Sequence, residues 1–298
     1  MPALKEFTVD YTFQDQWGLR GRNTLLMLAI YFGGIGGGFY LVSLFAGYTW
    51  GALLGIVLAG VGKTVSHVAF LGRPERFWRA GLRPQSSWIS RGFIFFGLFL
   101  LSGLGYVLPQ YHSFSWLPWK AGSGFGVFLL WLSVITAFLT ITYTGFLLNR
   151  SAIRFWNNSL LPALFMLVSL WSGASLSGFF LRFIKASSVN VDLIREFALW
   201  GGVATLVLLL FYYWGSYNFD LASRRAVQVL ALNADTAWLF YGLFIVVGLC
   251  FPVLVYALDA TTGMSDAWLA VAEVVEVIVG ALLFRYTFFR GGVFLPVY

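Results

Sequence analysis

One cysteine, Cys250, occurs in the whole chain, and it sits inside an apolar run. A single thiol makes no internal disulfide and no cysteine-ligated iron–sulfur cluster, and alone it holds no structural metal. Histidine is almost as scarce, with only His67 and His112. Charge is thin as well: 10% of residues are Asp, Glu, Lys or Arg, against 59% hydrophobic and 19% aromatic. A soluble protein of this length needs far more charge to cover its surface, so a water-soluble domain is excluded. The first twenty residues are polar, of mixed charge and without an apolar core, so no cleavable signal peptide is expected. A net charge of +7 invites a nucleic-acid reading. The basic residues, however, stand in short stretches between apolar runs, which is the pattern of membrane topology.

What fills the chain instead is a series of long uncharged intervals. Cut at turn residues, they predict eight membrane spans at about 24–47, 51–70, 92–109, 124–148, 158–182, 196–215, 237–258 and 266–289. Each run is of the order of the ~20 residues that cross ~30 Å of hydrocarbon. No linker or low-complexity segment divides the chain. The expectation is an all-α integral membrane protein of one domain, residues 1–298, with eight transmembrane helices grouped as two four-helix bundles. An even number of spans puts both termini on one face, side A, together with the loops at 71–91, 149–158 and 216–236. Side A collects fourteen Lys and Arg, Arg285 among them, whereas side B has four: Lys120, Arg182, Lys185 and Arg195. By the positive-inside rule side A is cytoplasmic.

The one long polar stretch is 63–92, KTVSHVAFLGRPERFWRAGLRPQSSWISRG. Lys63 and His67 lie i,i+4 at the end of the second span and share a helical face. Arg73, Arg76, Arg79, Arg83 and Arg91 follow, mixed with Trp78 and Trp88, as in a loop at a membrane–water interface. Ionisable groups at lipid depth are functional candidates by default. For Lys63 and His67 two readings stand side by side. Lys63 snorkels to side A and His67 bonds a carbonyl; or both donate hydrogen bonds or protons to a polar ligand head such as a quinone carbonyl. Asn23, opening the first span, is either a helix cap or a third contact of that kind. The two histidines fall on opposite faces of the bilayer, which excludes a bis-histidine haem.

Glu273 and Glu276, i,i+3 on the eighth span, share a face two to three turns from side B. They read as an intramembrane proton relay, or as ion-pair partners of Arg182, Lys185 or Arg195. The glycine string Gly33-Gly34-Ile35-Gly36-Gly37-Gly38 has no preceding strand and lies mid-membrane, so it is no phosphate loop. It and the small residues Ser172-Gly173-Ala174-Ser175 and Ser177-Gly178 of the fifth span predict close helix packing, or room for a flat ligand.

The glycine-rich first span, a second span ending in LGRPERFW, and SSWISRG opening the third together resemble the polysulfide reductase membrane-subunit (NrfD-like) family, related to dimethyl sulfoxide reductase anchor subunits. The specific likeness is concentrated in residues 33–38 and 67–92. The resemblance implies a haem-free, quinone-reactive membrane anchor with no metal of its own, in the cytoplasmic (inner) membrane of a prokaryote. Its cofactor would be menaquinone or ubiquinone. Its partners would be an iron–sulfur electron-transfer subunit and a molybdopterin-type (molybdenum or tungsten) catalytic subunit. The implied quinone site lies under side A near His67, Lys63 and Asn23. Some family members use an Asn and a His early in the first span; this chain has Asn23 but no histidine there, and His67 takes that place. Arg73, Arg76, Trp78, Arg79, Arg83, Trp88 and Arg91 would form the docking surface for the iron–sulfur subunit. A cytoplasmic side A implies a cytoplasmic catalytic unit, such as a sulfite-oxidising enzyme. The rival classes are an ion or solute transporter without redox work, and a purely structural anchor.

Overall fold

The computed structural model describes residues 11–12, 23–186 and 188–294, save for the side chains at 11, 12, 23, 234, 235, 293 and 294. Eight helices are long and apolar enough to cross a membrane: Thr24–Phe45, Thr49–Phe70, Trp88–Gln110, Gly124–Asn149, Leu161–Leu181, Val191–Phe219, Trp238–Thr262 and Asp266–Arg290. The chain is an integral membrane protein. Large apolar side chains such as Leu101, Trp131, Trp200, Leu210 and Ile278 point outward along the spans. That surface suits lipid and would be an aggregation hazard in water.

Two span starts differ by four or more residues from the charge-to-charge intervals. The third span begins at Trp88, because Ser87 caps it by accepting from the Ser90 backbone N–H at 3.3 Å. Arg91 therefore stands inside the first helical turn rather than before it. The sixth span begins at Val191 behind Asn190, whose side chain accepts from the Leu193 N–H at 3.0 Å. Asp192, Arg195 and Glu196 thus occupy its first two turns. Helices start at their caps, and polar caps lie outside the apolar band. An antiparallel pair of two-residue strands, Tyr11–Thr12 with Val293–Phe294, joins the segments before the first span and after the eighth, which an even number of spans permits by placing both on one face.

The first span is the hub. It contributes to both apolar cores, one with Tyr40 and Leu41 among residues of the second, third and fourth spans, the other with Met27, Ile30, Tyr31 and Ile35 among residues of the fifth to eighth. Its glycines face different neighbours. A Cβ on Gly36 would stand 2.5 Å from the Ala59 nitrogen of the second span, and one on Gly38 would stand 1.7 Å from the Ser169 carbonyl oxygen of the fifth. Close helix packing is thus what the glycine string performs at these positions.

Two further features bear on the site. The second span passes through a π-helical turn at Leu58–Lys63 and the eighth through one at Glu276–Ala281. A wider turn re-phases the side chains that follow it, and such turns recur at functional positions.

Candidate functional site

Lys63 ends the π-helical turn of the second span and is buried at 5% exposure. It does not snorkel. Its Nζ donates to Tyr143 Oη of the fourth span at 2.9 Å and lies over the rings of Phe96 at 5.3 Å and Tyr143 at 5.0 Å. Its stem fills the notch of Gly33, where a Cβ would come within 2.9 Å of Lys63 Cδ. Among the described residues no carboxylate stands within ion-pair distance of it. A buried cation held by aromatic faces and one hydroxyl keeps two N–H donors for another acceptor. His67 follows one turn later, partly buried. Asn23 opens the first helix, and its side chain lies outside the described residues.

Above this pair the loop forms a 3₁₀ helix at Pro74–Gly81. Arg73, Arg76, Arg79 and Arg83 are exposed, as are Phe77, Trp78 and Leu82. Arg79 lies over Trp78 at 5.5 Å, and Arg76 approaches Glu75 at 3.9 Å in an exposed pair of little energetic weight. Arg91 is engaged otherwise. Its Nε donates to the Pro84 carbonyl at 2.7 Å and its Nη2 to the Gln85 carbonyl at 2.8 Å, while the guanidinium lies over Trp88 at 4.7 Å. Trp88 in turn stacks on Phe146 at 5.2 Å. These two residues fix the base of the loop, whereas the other four arginines face outward.

The second polar cluster runs between the fifth and eighth spans. Glu273 is paired with Arg182. The notch of Gly178 accommodates its carboxylate. Deeper in, Glu276 Oε1 accepts from Ser172 Oγ at 2.9 Å, and its Oε2 is buried without a partner. Ser175 Oγ lies 3.0 Å from Tyr256 Oη of the seventh span. Towards side A, Arg285 is fully buried. Its Nη1 donates to the Ala281 carbonyl at 2.7 Å, Nη2 reaches Ser169 Oγ at 3.5 Å, and Nε has no partner. The guanidinium lies 5.5 Å from the Tyr31 ring centre, in the notch of Gly34. At the side-B end a cavity of about 140 Å³ is lined by Arg182, Arg195, Tyr256, Asp266 and Glu273 among apolar residues. Arg195 also stands 3.7 Å from Asp259, whose other oxygen accepts from the Met264 N–H.

Several of these residues are not evident in the sequence. Charge counting puts Arg285 among the surface cations of side A; it is interior, because a helical side chain leans toward its N-terminus and here that direction is into the membrane. The side-A excess of positive charge survives its removal. Tyr143, Tyr31 and Tyr256 carry no signal of their own in a chain so rich in aromatics. The serines do carry one: Ser169, Ser172, Ser175 and Gly178 recur every third residue on the face opposite Arg285, Glu276 and Glu273. The structure brings Lys63, His67 and Tyr143 together near side A, and Glu273 and Glu276 together with the fifth span. The two groups meet the first span at adjacent but differently directed glycines, Lys63 at Gly33 and Arg285 at Gly34.

The sequence profile of the family described as polysulphide reductase, NrfD, matches residues 23–296. The chain is also similar to a sulfite dehydrogenase subunit of Allochromatium vinosum, with 30% identity over 169 residues. That match covers 54% of this chain and 49% of the relative, so the chain spans about half the length of the protein it matches.

Proposed function

We propose, because the chain belongs to the polysulphide reductase NrfD family, that it is the haem-free, quinone-reactive membrane subunit of a multisubunit oxidoreductase. It carries electrons between the quinone pool and an iron–sulfur partner, which serves a molybdenum or tungsten catalytic subunit. The observation that carries this proposal is Lys63, a buried ammonium with no carboxylate partner among the described residues, held under the arginine-rich loop by Tyr143.

The residues present fit a quinone head, whose carbonyl oxygens accept hydrogen bonds. A bound quinone supplies two-electron, two-proton chemistry; the protein supplies donors. Lys63 keeps two N–H groups and Tyr143 keeps its hydroxyl proton, because it accepts from Lys63. Donors fixed in place around an oxygen that gains negative charge contribute roughly 10²–10³ in rate. His67, one turn nearer side A, exchanges a proton between this pair and water on that side. Asn23 is the third contact. Arg73, Arg76, Arg79, Arg83 and Trp78 meet the iron–sulfur subunit, while Trp88 and Arg91 hold the loop that presents them. Glu273 and Glu276 carry protons in the side-B half, and Glu276→Gln is expected to reduce proton movement in vesicles during turnover.

Side A is assigned to the cytoplasm of a prokaryotic inner membrane on its excess of Lys and Arg. Similarity to a sulfite dehydrogenase makes sulfite the substrate to try first with the purified complex. The deciding experiment is quinol oxidation by that complex with Lys63→Met, Tyr143→Phe and His67→Gln. Loss of at least tenfold in rate, with the iron–sulfur subunit still bound, is the expected result. Full activity in Lys63→Met would overturn the assignment, and a wild-type chain that recruits no iron–sulfur partner would favour a transporter. A periplasm-active phosphatase fused at Tyr298 is expected to be silent; activity there reverses the orientation.

A further inference from the structure

We infer that the polar file between the fifth and eighth spans is a blind half-channel, open to side B, reaching inward as far as Glu276, and closed toward side A by the fixed charge of Arg285. It begins at the cavity of about 140 Å³, whose wall carries Glu273, Arg182 and Tyr256. A water needs only ~10–15 Å³ and two to four polar partners, so the cavity has room for water between Glu273 and Tyr256. Tyr256 Oη meets Ser175 Oγ at 3.0 Å, and Ser172 Oγ donates to Glu276 Oε1 at 2.9 Å. Hydroxyls both donate and accept, and they rotate, so each of these groups can receive a proton on one side and release one on the other. The file ends at Glu276, whose Oε2 is buried with no hydrogen-bond partner.

Beyond Glu276, along the same helix, stands Arg285. A guanidinium holds its charge and does not pass protons. This one is fully buried, with no carboxylate in ion-pair distance among the described residues, and its Nη2 reaches only the hydroxyl of Ser169. A hydrated proton moving from Glu276 toward side A would therefore approach an uncompensated positive charge where screening is weak. Gly33 and Gly34 are adjacent on the first span, and their notches are filled by Lys63 on one side and Arg285 on the other. Two cationic side chains thus stand at one level of the central helix. The groups that face Glu276 are Ser172 and Ser175 from the fifth span, Tyr31 from the first, Tyr256 from the seventh, and Glu273 and Arg285 from its own helix. Among them the hydroxyls that continue toward side B are Ser172, bonded to Glu276, and Ser175, bonded to Tyr256, while the Tyr31 hydroxyl is taken up by the Val277 carbonyl.

This inference rests on Glu273 and Glu276 as proton carriers, and not on the quinone site, so it is tested in vesicles that contain no quinone. The full chain is reconstituted in liposomes holding a pH-sensitive dye, and a potassium diffusion potential drives protons. Wild type and Arg285→Lys are expected to be tight. Arg285→Met is expected to raise proton conductance at least tenfold, and Glu276→Gln added to it should abolish that rise. A monodisperse Arg285→Met protein as tight as wild type, or a leak indifferent to Glu276→Gln, overturns the half-channel. A second measurement leaves Arg285 intact. Dicyclohexylcarbodiimide modifies protonated carboxyls, and its labelling of Glu276 in sealed vesicles of known orientation should follow the pH of the side-B compartment. Labelling that follows side-A pH refutes the inference even if Arg285→Met does not fold.

Discussion

Replacing Gly38 with alanine tests the packing around which the molecule is built. The added Cβ would lie 1.7 Å from the Ser169 carbonyl oxygen and 2.4 Å from its carbon. Non-bonded carbons rest at about 3.5–4.0 Å, so the first and fifth helices would have to part by well over 1 Å. Both blocking atoms are backbone, and no rotamer relieves them. The contact is reciprocal, since a Cβ on Gly173 would stand 2.2 Å from the Gly38 carbonyl carbon. Overpacking a tight interface costs typically ~1–3 kcal/mol, and backbone contact puts this case at the upper end. Alanine returns up to ~1 kcal/mol of helix propensity. The net expectation is a loss of about 2 kcal/mol, near thirtyfold in the folding equilibrium at 1.4 kcal/mol per factor of ten. Gly97→Ala is the matched control, because nothing lies within 4 Å of its Cβ and only the propensity gain remains. Unfolding in mixed micelles of increasing denaturing detergent, followed by tryptophan fluorescence, would rank the variants. Equal midpoints for Gly38→Ala and Gly97→Ala would refute the close approach of the two helices.

Three other outcomes are expected. Arg91→Lys should loosen the loop, because a lysine cannot reproduce the two bonds to Pro84 and Gln85 while covering Trp88; trypsin added to side A should cut at Arg76 or Arg79 roughly tenfold faster, in keeping with the loss of about one charge-assisted bond. An unchanged rate would mean that Arg91 does not hold the loop. Neutralising Arg76, Arg79 and Arg83 together should weaken capture of the proposed iron–sulfur subunit most at low salt and hardly at all near 1 M, where screening falls to ~3 Å; equal loss at both salts would speak against charge-guided docking. Cys250, exposed midway along the seventh span, faces lipid, so a charged maleimide should not label it in intact vesicles from either side but should label the denatured chain. Labelling from one side would mean that water reaches this surface.

The membrane class and the eight spans were legible because charge-free intervals of about the right length have few other physical explanations. Their ends were less so: Ser87 and Asn190 start helices four to five residues ahead of the apolar band, and a hydropathy interval does not register a cap. The loop at 71–91 was legible from composition, though not the division of its arginines, since Arg91 differs from Arg83 only by the carbonyls it meets. Lys63 shows the limit most directly. Whether it snorkels or turns inward depends on Tyr143, eighty residues away, and on the absent side chain of Gly33. Arg285 misled for a similar reason. It lies near a span end, where arginines usually reach water, yet Gly34 and Ser169 leave it space inside.

Buried ionisable groups are costly in lipid, and the cost here is unevenly offset. Glu273 has Arg182 as a counter-ion, so its burial is partly compensated. Lys63, Glu276 and Arg285 are buried with no opposite charge in ion-pair distance among the described residues. Apolar side chains at those three positions would remove that desolvation cost, and glycines at 33 and 34 would then be unnecessary. Stability therefore gives no account of the three charges, and the notches in the first span exist to hold two of them. On the proposed function the arrangement has a use. Electron exchange at Lys63 and proton exchange at Glu276 then take place at separate sites along one helix, and the guanidinium of Arg285 keeps protons from passing between them. A complex whose turnover moved protons freely from side A to side B without quinol would contradict that division of labour, because the path would then have to pass Gly33 and Gly34.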